Sequence, residues 1–204
     1  MPTVYQGFDV FEIEPSAVNH REFTHRRSMA RLDSRTGKLR ARDRSGVAVV
    51  RPGGFVWLLD GRTEIQSYRD FIAARKGTLV PVWVPTWNRD LEMDTDLSAG
   101  NVNLSISKIG YTKFMFPTVA RRHIAFLLPD GTRHYRKIAG ASEGTSNEVL
   151  TLDSSIGALV PKATMVSFLT LCRLATDDPE LTWHGRDLAE AVLDFVELPK
   201  EVPA

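Results

Sequence analysis

Apolar and polar residues alternate with a period of two over most of the chain, and that period predicts strands rather than helices. FDVFEIEP at 8–15 puts Phe8, Val10 and Glu12 on one side and Phe11 and Ile13 on the other, and Pro15 closes it. GVAVVRPGGFVWLLDG at 46–61 reads as a hairpin, with a strand through Val47, Val49 and Val50, a turn at Pro52, Gly53 and Gly54, and a second strand from Phe55 to Leu59. Arg31 to Arg44, centred on a turn-like Ser34 to Gly37, predicts another hairpin. One segment switches to helical spacing. Thr63 and Gln66 fit a capping box, Ile65, Tyr68 and Ile72 share a face, and Gly77 suits the position after the last turn, so a helix is expected over about Thr63 to Lys76. In the strand that follows, Val80, Val82 and Val84 face one way and Pro81, Trp83, Pro85 and Trp87 the other. Proline cannot donate a ladder hydrogen bond, so this strand belongs at an edge or carries a bulge.

The second half continues as strands. Val102, Leu104 and Ile106 alternate, and a hairpin over 122–138 turns at Pro129, Asp130 and Gly131, which would let His123 and His134 face each other. NEVLTLD forms a short strand, Gly140 to Asn147 reads as a flexible loop, and ATMVSFLTLCRLATDD is a long alternation. Helix and strand patterns compete from Asp187 to Pro199, with a strand preferred. The fold class expected is mainly β, as β-sandwich or barrel-like modules with one short α-helix. A β-rich module at 1–100 and another at 101–204 would meet near Ser98 to Asn101, with a single domain as the alternative.

Composition narrows the class. The chain has 204 residues, 43% apolar and 25% charged, enough to bury a core without metal or disulfide staples. Cys172 is the only cysteine and excludes an internal disulfide. Its place in an apolar alternation reads as a small buried hydrophobe rather than a nucleophile. No basic leader with an apolar core opens the chain and no apolar run is long enough for a bilayer, so no membrane span is expected and synthesis in the cytoplasm is.

Charge is uneven. From His20 to Arg51 there are ten Lys/Arg against three Asp/Glu, a net of +7, whereas Asp177 to Ala204 holds eight acids against Arg186 and Lys200, a net of −6. A nucleic-acid arm would want aromatics among its arginines, and this one offers only Phe23. Two solvated faces, or a basic part of one subunit meeting the acidic part of the next, are the other readings.

Candidate catalytic and metal-binding residues are present but fall short of any complete signature. His20 and His25 lack zincin spacing, and His123, His134 and His184 are scattered. EMDTDLSAG has the two-residue acid offset of a calcium loop but holds Ala99 and Ser105 where glycine and glutamate belong. No nucleophile elbow, phosphate loop or dinucleotide fingerprint is present. A protein without enzymatic activity, cofactor or metal is expected. Among the tryptophans, Trp57 reads as core, while Trp83 and Trp87 share a face with prolines and suit an interface, with sugar stacking as the alternative.

Two stretches carry a family resemblance. DFIAARKG followed by TLVPVWVPTWNRDLEM, and MVSFLTLCRLATDDPELTWHG near the end, together about a quarter of the chain, resemble the distal tail proteins of long-tailed bacteriophages and phage-like gene transfer agents. The resemblance implies a non-enzymatic β-sandwich protein that assembles as a ring, hexameric or trimeric, in the virion tail. It would join the tail-tube protein to the hub and the receptor-binding fibres, and it brings no catalytic motif. Some relatives carry an inserted carbohydrate-binding module, for which this chain leaves little room. The interface candidates are Trp83, Trp87, Pro81 and Pro85 at the proline-studded strand; Arg26, Arg27, Arg40 and Arg42 in the basic segment; and Asp177, Asp178, Glu180 and Trp183 in the acidic one. A carbohydrate-binding module for host-surface recognition is the alternative function.

Overall fold

The computed structural model describes residues 3–18, 23–26, 29–33, 39–43, 49–52 and 55–203. Its strands in the first half are β1 (Val4–Tyr5), β2 (Phe8–Asp9), β3 (Ala17–Val18), β4 (Phe23–Arg26), β5 (Met29–Asp33), β6 (Leu39–Asp43), β7 (Val49–Pro52), β8 (Phe55–Asp60) and β9 (Val82–Pro85). Those of the second half are β10 (Asn103–Ser107), β11 (His123–Leu127), β12 (Arg133–Glu143), β13 (Asn147–Leu152), β14 (Met165–Leu174), β15 (Leu181–Trp183), β16 (Leu188–Leu193) and β17 (Phe195–Glu197). Helix α1 (Arg62–Arg75) separates β8 from β9, and α2 (Tyr111–Phe114) lies between β10 and β11. The protein is mainly β, with antiparallel sheets, consistent with a β-sandwich-like fold.

Two compact units form, and they interleave instead of following one another as 1–100 and 101–204. One unit comprises Met1–Glu14, Val82–Leu171 and Lys200–Ala204; the other comprises Pro15–Pro81 and Cys172–Pro199. The proline-rich strand and the long alternation, expected to lie inside modules, are where the chain crosses between units.

In the first unit, strands run in the order β10-β13-β12-β11-β14, with β9 also on β14. Both faces of this sheet are covered, which explains why β14 reads as an almost continuous buried run. Ile124, Phe126, Val166 and Phe168 pack with Leu104, Ile106 and Leu150 on one side. Their alternating neighbours Ala125, Leu169 and Leu171 pack with Val10, Trp83 and Tyr135 on the other. Strand β12 runs through Gly140 to Glu143, where a loop was expected, because a bulge between Ile138 and Gly140 lets pairing with β13 resume. His123 stands opposite Lys137 and His134 opposite Phe126, so the two histidines do not face each other.

In the second unit, β15-β16-β8-β3 form a four-stranded sheet, β4 pairs with β7, β5 with β6, and the end of β14 with β17. The expected hairpin at 46–61 does not form that pairing: β7 takes β4 as its neighbour while β8 takes β16 and β3. Strands β5 and β6 do pair, and the turn expected between them lies outside the described residues. Phe55, Trp57 and Leu59 of β8 and Ala189, Ala191 and Leu193 of β16 fill the inner face, where Ile65 and Tyr68 of α1 are also buried. Gly61 occupies the N-cap position with φ +91°, and in place of a Thr63 cap the Glu64 carboxylate accepts the N–H of Asp60 at 3.0 Å. Lys76 ends the helix in the left-handed region.

Candidate assembly surface

Trp83 and Trp87 are not at a surface. Trp83 is fully buried: its indole N–H donates to the Tyr5 carbonyl at 2.9 Å, and its ring lies 4.7 Å from His123 and 5.6 Å from Tyr5. Val10 bridges to it in parallel and Phe11 N–H donates to its carbonyl, so the edge that Pro81 and Pro85 leave unpaired is covered by the N-terminal segment. Pro85 is buried in β9 and Pro81 half-buried. Trp87 is buried with φ +54°, in the left-handed region that a bulky side chain rarely adopts, under the guanidinium of Arg133 at 5.5 Å. Past the end of β9 the pairing with β14 is interrupted. Thr86 and Leu91 donate to β14 carbonyls while Trp87 to Arg89 loop out, and Asp90 closes the loop by accepting from Phe168 N–H at 2.7 Å and from the Thr86 hydroxyl. The border expected to await sister copies is therefore internal core.

The acidic candidates divide. Asp177 spends its carboxylate on the chain itself, accepting the N–H of Thr78 at 2.7 Å, a bond that holds its pKa below the usual carboxylate range. Asp178 and Glu180 are exposed. Among the basic candidates, Arg42 is exposed on β6, Arg26 and Arg40 stand opposite Val49 and Leu32, and Arg27 lies outside the described residues.

A different surface emerges from the four-stranded sheet. Because cross-strand neighbours share a face, the outer face carries Val56 beside Val192, Leu58 beside Glu190, and Asp60 beside Leu188. Leu58 is 47% exposed and Val192 49%. Apolar side chains thus sit in the open between two acids. At the edge the His184 ring bonds Glu190 at 2.9 Å, while Trp183 on β15, opposite buried Ala189, belongs to the other face, 49% exposed with the Arg69 guanidinium of α1 at 5.7 Å from its ring. Of the four tryptophans only Trp183 presents its indole. Sequence reasoning singled out Trp183 but missed Leu58 and Val192, although the alternation of Leu58 against Trp57 held the signal.

The first unit contains two buried titratable groups with structural roles. His123 faces the Tyr5 hydroxyl through Nδ1 at 3.0 Å; burial, then the nearby Lys137 charge, push its pKa down to about 4 despite opposing effects of the Pro203 backbone and Asp153. Burial alone would raise the Glu148 carboxyl, but bonds from Thr112, Tyr111 and Ile109 outweigh it and hold it below the usual range. Among the described residues, no group of three or more His, Cys, Asp and Glu could hold a metal, and no helix is long and apolar enough to cross a membrane. Cys172 is buried. Compared with known proteins, the chain matches no family model and no curated protein.

Proposed function

We propose that this protein is a structural component of a bacteriophage tail tip, a distal-tail-like ring subunit that binds copies of itself, the tail-tube protein, and hub and fibre proteins, assembling in the bacterial cytoplasm into the virion. One observation carries the reading: the outer face of the four-stranded sheet exposes Leu58 and Val192 beside Asp60 and Glu190. Monomeric proteins seldom leave such apolar groups together on regular structure without a use. The mainly β fold and the loose resemblance to distal tail proteins agree with it, and the opposite signs of the two charged segments supply the complementarity that a heterologous ring needs.

Electron microscopy of the purified protein tests it. Ring-shaped class averages whose abundance falls with added salt are expected; a monomer at high concentration and low salt, both alone and with tail-tube protein, would remove the reading. The second reading, host sugar recognition, rests on the Trp183 indole alone, and quenching of its fluorescence by glycans would favour it.

A further inference from the structure

The outer sheet face needs a mate, and the first unit carries a surface of opposite character. Between β10 and β11, residues 108–122 include Lys108, Lys113, Arg121 and Arg122 and no acid. The same stretch exposes Phe114 at 70%, Ile109 at 44% and Val119 at 38%.

This segment is built, not frayed. The buried Glu148 carboxylate accepts the N–H groups of Ile109 at 3.1 Å, Tyr111 at 2.9 Å and Thr112 at 2.8 Å. The buried Tyr111 ring donates its hydroxyl to the Arg121 carbonyl at 2.8 Å. Arg122 donates from Nε to the Phe116 carbonyl at 2.8 Å and covers the Phe116 ring at 4.4 Å. Gly110, at φ +78°, lets the Phe114 ring lie against the backbone, since a Cβ there would come within 2.9 Å of it. A phenylalanine held outward on so fixed a base, with Lys113 5.2 Å from its ring, is preorganised for docking, and preorganisation lowers the entropic cost of association.

We propose that the 108–122 loop of one copy seats on the outer face of the four-stranded sheet of the next, Phe114 against Leu58 and Val192, Lys113 toward Glu190 and Asp60. This rests on the self-assembly reading and names the surfaces it uses. Loop against loop would oppose like charges, and so would face against face; only loop against face joins apolar to apolar and cation to anion. The contact is head-to-tail, the kind that closes into rings or runs into filaments.

Sedimentation velocity on four variants of the full chain tests it. Phe114→Ser and Val192→Ser alter exposed residues, so circular dichroism should be unchanged while self-association weakens about tenfold or more. Mixed one to one, these variants should form dimers that do not grow, because each mixture retains one intact loop and one intact face that can meet. Lys113→Glu should weaken assembly, and Glu190→Lys added to it should restore assembly. Wild-type rings that persist in all four variants would overturn the loop-to-face contact while leaving the ring reading in place. A wild-type chain that never associates would overturn both. Association lost in the single variants but absent from the mixture, with no charge rescue, would also overturn it.

Discussion

Asp177 Oδ1 accepts the backbone N–H of Thr78 at 2.7 Å, tying the turn after α1 to the segment that follows β14. The same oxygen closes the space above Gly77, whose φ is +66° and whose Cα could carry no Cβ without running into it. Gly77→Ala should therefore lower stability by about 1–3 kcal/mol, seen as a reduced urea midpoint. In an Asp177→Ala background the steric part disappears and the backbone part remains, so the loss should be smaller. Equal losses in both backgrounds would show that the carboxylate is not the obstacle.

Trp83 and Trp183 should behave oppositely. Trp83→Ala empties a site in the core and deletes the hydrogen bond to Tyr5, so a loss of about 3–5 kcal/mol is expected in chemical denaturation. Trp183→Ala removes a half-exposed ring and should change stability by about 0.5 kcal/mol or less. If Trp183→Ala proved the more damaging to folding, the placement of both rings would be wrong.

Glu148 gives the chain an acid-sensitive element. Its carboxyl pKa is depressed in the folded protein, so its contribution to stability is present above the ordinary glutamate range and is lost as pH falls below about 4. Thermal melting of wild type and Glu148→Gln should differ most near neutral pH and converge in acid. A gap that stays constant down to the lowest pH tested would contradict the capping role.

His123 acts in a neighbouring window. The folded pKa of about 4 lies below the ordinary histidine value of about 6.5, so the unfolded chain binds the extra proton first and stability declines as pH drops from 6.5 toward 4. His123→Gln should flatten the melting temperature across that interval, whatever it costs at neutral pH. A mutant profile as steep as the wild type there would assign the decline to other groups.

How much of this was legible depends on whether local or distant residues decide. The helix over Arg62–Arg75 and the burial of Cys172 follow from spacing and neighbours, and both were expected. Period-two alternation separated Trp83 from Val82 and Val84 correctly but could not show that both sides of β9 are covered. That covering comes from Val10 and Phe11, seventy-odd residues earlier, and no local pattern announces it. The hairpin expected at 46–61 failed for a related reason: Pro52-Gly53-Gly54 permits a turn, yet β16 competes for β8 with six paired positions. At the edge of the four-stranded sheet, Trp183 stood out by residue type. Leu58 and Val192 look like ordinary strand residues until the register shows which face each takes.

Because the first unit is assembled from three separated stretches of the chain, synthesis delivers the pieces out of order. The strap with Tyr5 and Val10 leaves the ribosome long before Trp83, the ring it must clasp, and Val202, which packs beside the same cluster, follows long after both. A nascent chain halted midway would leave this first unit unfinished, with apolar side chains bare to solvent. Deleting residues 200–203 should therefore strip Val202 from that cluster and weaken the first unit although the strap and Trp83 are both already in place.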